Sequence, residues 1–136
     1  MFTQVCPNDL AREIRKLPFG DALDLVFKSF HRKKEQVAKA AYFDTRNIYR
    51  YLNGESLPQK QTTVKVLIAM ALPYEISMAL IYSAGYSLSA SAADVFYRTL
   101  LENPGAVTVL EANEMIDELN VTAKRKCDKI PPFSLN

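Results

Sequence analysis

An all-α fold is predicted by three features of the chain. Apolar residues recur three and four positions apart in one segment after another, the spacing that places them on one face of a helix. Glycine and proline stand at the joints, in Pro18-Phe19-Gly20, Asn53-Gly54, Pro58, Pro73, Gly85-Tyr86 and Asn103-Pro104-Gly105. With 136 residues, 49% of them hydrophobic, the chain suffices for one packed domain but not comfortably for two.

Taken in order, the first element is a short lead helix from Asn8, with Leu10, Ile14 and Leu17 packing on the body. After the Pro18-Phe19-Gly20 break, a helix over 21–31 carries Leu23, Val26, Phe27 and Phe30 as its apolar stripe. Next comes KEQVAKAAYFDTRNIYRYLNGESLP, residues 34–58, in which two short helices flank a tight turn. Val37 and Ala41 share a face of the first. Asp44 supplies an N-cap for the second, its carboxylate accepting from N–H groups of the next turn and its charge suiting the positive helix end. Over 45–52, Ile48, Tyr51 and Leu52 form the packing face, while Thr45, Arg46, Tyr49 and Arg50 fall on the other side. Asn53-Gly54 stops this helix, and Pro58 prevents its continuation.

A helix over 62–72 is apolar on almost every side and is therefore expected in the middle of a bundle. Pro73 ends it and opens a helix over 74–83. Another helix starts at Ser91 or Ala92 and runs to Glu102, with Val95, Phe96, Thr99 and Leu100 inward. A last one covers 107–119, with Val109, Leu110, Asn113, Ile116 and Leu119 on its buried stripe. The end, KRKCDKIPPFSLN, is basic and then proline-rich and reads as a loose tail. Its Lys124-Arg125-Lys126 cluster is taken first as solvated, with phosphate contact the alternative.

The two short helices and their turn have the arrangement of a helix-turn-helix, and the outward face of the second gives it a chemistry. Arg46 and Arg50 lie one turn apart, and guanidinium forks match the paired acceptors of guanine in the major groove or bridge phosphates. Thr45 suits a phosphate or a thymine methyl, and Tyr49 a sugar or phosphate. Charge placement supports the same reading. The whole chain is only +2, but residues 28–65 hold nine Lys and Arg against three acids, and the remainder holds eight against twelve. A basic block over the helix-turn-helix is the footprint of a phosphate surface, against the alternative of a solvated face.

The segment from about Phe19 to Leu88 resembles the lambda-repressor-like, Cro/CI-type (XRE) helix-turn-helix family of small bacterial and phage transcriptional regulators. The resemblance rests on Val37-Ala38, Phe43-Asp44, Ile48, Asn53-Gly54, Pro58 and the apolar helix that follows. Downstream, VKVLIAMALPYEISMALIYSAGYSLSAS is similar to a subgroup with an alanine-rich fourth helix, a fifth helix and an AGYxLS turn. It implies a five-helix DNA-binding domain over 19–88, preceded by a lead segment over 1–18, and followed by a helical extension over 89–121 and a flexible tail over 122–136. Base contacts are then implied for Thr45, Arg46 and Arg50, with Tyr49 as a flank, and phosphate contacts for Lys34, Asn53, Ser56 and Lys60. Two departures stand out. Tyr42 occupies the turn position where the family has glycine, so either the turn is remodelled or a helix boundary moves. Leu52 and Phe27 stand where many members carry a buried glutamate–arginine pair, a hydrophobic substitution that need not cost stability.

Catalysis finds little support. His31, the only histidine, sits at a predicted helix end, where it suits the dipole or a phosphate. Cys6, Cys127 and His31 have no metal-ligand spacing, and the four glycines form no phosphate-cradling loop, so no cofactor is expected. No stretch is long and apolar enough for a membrane span, and the N-terminus lacks a signal core. Two cysteines near opposite ends fit a reduced, cytoplasmic protein. The favoured function is a DNA-binding regulator, a repressor acting as a homodimer through Met78, Ile81, Val109 and Met115 left over from core packing. The alternative is an antitoxin-like or adaptor module that binds a protein partner, suggested by Tyr42, Tyr49 and Tyr51.

Overall fold

The computed structural model describes residues 7–135, and among these the regular structure is helical, with no strand. The elements are α1 (Pro7–Lys16), α2 (Phe19–Ser29), α3 (Lys34–Ala40), α4 (Thr45–Leu52), α5 (Lys60–Met70), α6 (Tyr74–Ser83), α7 (Ala92–Glu102) and α8 (Val109–Thr122), with a 3-10 turn at Lys126–Asp128. No helix among them is long and apolar enough to cross a membrane.

The helix that reads as apolar all round is the centre of the molecule. In α5, Thr63, Val64, Lys65, Val66, Leu67, Ile68 and Met70 are all buried, and α3, α6, α7 and α8 pack against it. The lead helix α1 lies along α6, with Leu10, Ala11 and Ile14 in the common core. Ser83 Oγ in α6 donates to the Leu17 carbonyl at 2.8 Å, fixing the exit of α1.

Helix ends follow a shared rule. At the C-termini of α2, α3, α4 and α6, the residue after the cap takes positive φ, and its N–H and that of the following residue close back onto carbonyls near the helix end. Glycine does this in α4 (Gly54) and α6 (Gly85), but His31 (φ 53°) and Tyr42 (φ 59°) do it in α2 and α3. Tyr42 therefore keeps the ordinary turn geometry and accepts the left-handed cost of ~1–2 kcal/mol. Its ring is half-buried against the core. His31 is an exposed turn residue just beyond its helix.

Several expectations are corrected. Helix α2 begins at Phe19, two residues before the predicted start, and Gly20 lies in its first turn rather than in a break. A Cβ at position 20 would sit 2.6 Å from the Tyr51 carbonyl oxygen and 2.8 Å from that of Leu52, so glycine is what lets α2 approach the end of α4. The buried face of α7 is Phe96, Tyr97, Leu100 and Leu101, whereas Val95 and Thr99 are exposed. In α8, Leu110 and Leu119 are exposed and Ala112 takes their place in the core. Ile81 and Val109, each 1% exposed, belong to the core and offer nothing to a dimer, while Met78 is half-buried and Met115 exposed.

The tail is not loose. Asn120 donates to the Ile130 carbonyl and accepts from its N–H, both at 2.8 Å, and Asn113 does the same with Phe133 at 3.0 and 2.8 Å. Seven helical residues and three extended residues both span about 10 Å, so two asparagines on one face of α8 match two backbone positions of an extended segment running antiparallel to it. Pro131 and Pro132 fall between those positions, where their missing N–H groups cost nothing, and Gln61 Nε2 donates to both proline carbonyls. Ile130 and Phe133 are buried, with Phe133 5.6 Å from the Tyr97 ring. Cys127 is an exposed free thiol, and the cysteine at position 6 lies outside the described residues.

Two outcomes are expected in urea unfolding. Gly20→Ala forces α2 and α4 apart and costs about 3 kcal/mol, whereas Gly54→Ala meets open space and costs only the ~1 kcal/mol of its backbone conformation. Asn120→Leu leaves the Ile130 backbone groups unpaired and costs about 1–3 kcal/mol, which a loose tail would not show.

Candidate nucleic-acid interface

The α3–turn–α4 unit is built from its caps outward. Asp44 stands in extended conformation before α4, and its Oδ1 accepts the Arg46 N–H at 2.9 Å. Its Oδ2 accepts from Arg46 Nε at 3.2 Å and Nη2 at 2.9 Å, so one carboxylate caps the helix and holds the guanidinium against its first turn. Hydrogen bonds from the Arg46 side chain and backbone, with the charges of Arg46 and Arg50, hold the Asp44 carboxyl below its ordinary range.

Ile48 fastens the inner face of α4 to the core with no exposure. Tyr51 and Leu52 are half-buried against the same core, and Tyr51 meets Phe43 of the turn edge-on, ring centroids 6.3 Å apart. On the outer face, Arg46, Tyr49 and Arg50 are exposed and Thr45 is half-buried at the helix start. The Arg50 guanidinium makes no hydrogen bond or ion pair with another described residue, leaving its whole fork available.

Lys34 sits beside this face. Its ammonium lies 5.4 Å from the Phe27 ring centroid and 6.0 Å from that of Tyr49, a cation between two rings on α2 and α4. It thus braces the outward helix while remaining half exposed. Phe27 is fully buried and Leu52 half-buried, so this region of α2 and α4 is apolar. Asn53 and Ser56 are exposed in the loop after α4.

Lys60 is placed elsewhere. Its ammonium donates to Asp94 Oδ2 at 2.8 Å, joining the start of α5 to α7, and the same oxygen accepts from the Ser89 N–H and hydroxyl at 2.9 Å. Burial alone would raise the Asp94 carboxyl, but these hydrogen bonds and the Lys60 charge outweigh it and hold it low. The basic block of residues 28–65 divides in the same way. Arg32 donates from Nε to the Met70 carbonyl at 2.8 Å and from Nη2 to that of Ala71 at 3.4 Å, a cation at the negative end of α5. Lys65 is 4% exposed, donates to the Ser134 carbonyl at 3.0 Å and lies 4.9 Å from the Phe43 ring. Lys28 pairs with Asp24 on the surface of α2. Lys33, Lys34, Lys39, Arg46 and Arg50 remain on or next to the two short helices.

Two structural roles had no sequence signal: Arg32 at the end of α5, and Lys65 between the turn and the tail. Each partner lies far along the chain, 38 and 69 residues away. Asp44 was legible as a cap but not as the clamp on Arg46. The outward face offers cations, a phenol and a hydroxyl, groups that bind an acceptor-rich polyanion. Among the described residues no three His, Cys, Asp or Glu side chains gather as a metal-binding group.

Asp44 and Asp94 both titrate lower folded than unfolded. The stability they contribute is therefore complete above the ordinary carboxylate value of about 3.9 and is lost as pH falls through their folded values. Asp94→Asn should flatten the acid limb of a plot of stability against pH. An unchanged limb would place the coupling elsewhere.

Comparison with protein-family models, with curated proteins and with solved structures finds no match to this chain, so the functional argument stands on the residues just described.

Proposed function

We propose that the chain is a sequence-specific DNA-binding transcriptional regulator of the lambda-repressor-like helix-turn-helix kind, acting as a repressor and homodimer. In this reading α4 enters the major groove. Arg46 and Arg50 address guanine acceptors, Thr45 touches a thymine methyl or a phosphate, and Tyr49 flanks them. Lys34, Asn53 and Ser56 meet phosphates on either side and set the register. Lys60 is left out of that set because Asp94 already holds it.

One observation carries the proposal. A helix anchored by a fully buried Ile48 turns Arg46, Tyr49 and Arg50 outward together, with Lys34 alongside. The Asp44 clamp fits a reader, because it fixes the direction of the Arg46 fork before contact and so lowers the ordering cost of binding. Single short helices read few base pairs, and two-fold repetition supplies the remaining specificity, with half-sites about one DNA turn apart.

A protein-binding module on the same scaffold is the competing reading. Of the tyrosines that suggest it, Tyr42 and Tyr51 are packed against the core and only Tyr49 is exposed, which weakens it.

Selection from a randomised duplex pool at near-physiological salt should enrich a palindromic site with the native chain. The Arg46→Ala/Arg50→Ala double variant should lose that enrichment, with affinity for the selected site down by about 30-fold or more. Affinity should fall steeply with added salt, by a slope of about 0.9 per phosphate neutralised. Absence of any enriched site would overturn the reading.

A further inference from the structure

The side of the molecule made by α7, α8 and the tail leaves an apolar surface uncovered. Val95 is 49% exposed, Met115 37% and Leu119 46%, around an open groove of about 710 Å³ floored by Phe96 and Ile130. Val121, on the same helix, is 85% exposed. Isolated exposed apolar side chains are ordinary, but a contiguous set along a groove marks a binding surface.

The charges along that surface indicate what covers it. Helix α8 carries Glu111, Glu114, Asp117 and Glu118 and no basic residue, and the chain just beyond it carries Lys124, Arg125, Lys126 and Lys129 against Asp128 alone. Glu111 is committed to the capping box with Thr108, and Arg125 to Asp128 at 3.0 Å. Among the described residues Glu114, Asp117, Glu118, Lys124 and Lys126 have no ion-pair partner. Along α8 and its continuation an acidic stretch, Glu111 to Glu118, therefore precedes a basic one, Lys124 to Lys129, with Met115 and Leu119 of the apolar seam set among the acids. A partner of one charge sign would satisfy one end and repel the other, whereas a second copy laid antiparallel satisfies both.

We propose that the α7–α8 face is the isologous interface between two copies of this chain, their α8 helices antiparallel. The acidic turns of each then face the Lys124–Lys126 segment of its mate, and Val95, Met115 and Leu119 are covered. The same patch on both copies gives the closed two-fold that a symmetric operator requires. The interface deepens the regulator reading and rests on it only for its purpose. The docked tail is part of the interface, because Ile130 forms the groove floor and Asn120 holds Ile130 in place.

The test is sedimentation equilibrium on the full chain without DNA. The native chain is expected to be a dimer in the micromolar range. Leu119→Lys, Glu114→Lys/Glu118→Lys and Lys124→Glu/Lys126→Glu should each raise the dissociation constant about tenfold or more. These positions are exposed, so circular dichroism should stay native, as should the melting temperature measured below the native dimer's dissociation constant. Mixing the two charge-reversed variants should restore a dimer, and native mass spectrometry should find it to contain one of each. A native monomer, a dimer indifferent to all three changes, or a mixture that stays monomeric would overturn the interface. A dimer that enriches no DNA site would overturn the regulator reading alone. A monomer that enriches a single half-site would overturn the interface alone.

Discussion

Burial of α5 is the constraint to which the other elements answer. A helix with apolar residues on nearly every side cannot rest on one partner, so its surroundings must be closed from several directions. Helix α3 covers one side, α6 another, and α7 with α8 a third. Each covering helix must turn an apolar stripe inward and its polar residues out, which determines what each presents to solvent. The outward arginines of α4 follow from this, because α4 is held by α2 and α3 with Ile48 inward. Gly20 sets how closely α2 and α4 can meet.

Charge in this molecule does two jobs, and sequence position does not separate them. Arg32, Lys60 and Lys65 join helices: one braces the end of α5, one pairs with a carboxylate on α7, one bridges the tail and the turn. Lys34, Arg46 and Arg50 stay at the surface of the two short helices. Arg46 belongs partly to both groups, since Asp44 holds it while its remaining edge faces solvent. The result is a smaller but better-ordered cationic face than the basic block alone suggests.

Lys65 links regions that otherwise have little in common. Its ammonium touches the Ser134 carbonyl on one side and the Phe43 ring on the other, and Phe43 packs on Tyr51 of α4. Burial lowers the affinity of that ammonium for its proton, so its neighbours hold a charge in a poorly solvated place. The tail and the turn before α4 are thus supports of a single side chain. This joins the α7–α8 side of the molecule to the outward helix through packed atoms.

The helices themselves were legible because their signals are local. Spacing of apolar residues, the Asp44 cap, Asn53-Gly54 and the proline joints act within a few residues, and most boundaries fell within two positions of those predicted. The docked tail was not legible. A basic, Pro-Pro segment looks unstructured until Asn113 and Asn120 are placed two turns apart on a helix running the other way. The inward faces of α7 and α8 were misread for a related reason. Val95, Leu110 and Leu119 are apolar enough for a core, and only the neighbouring helices decide which of two apolar stripes is covered. By itself, then, the sequence determined the all-helical architecture, the capped α4 and its arginines, because these depend on short-range geometry. Tertiary structure decided which cations stay free, where the tail lies and which apolar face remains open. Those outcomes depend on partners 10 to 71 residues away, whose proximity exists only after the chain has packed.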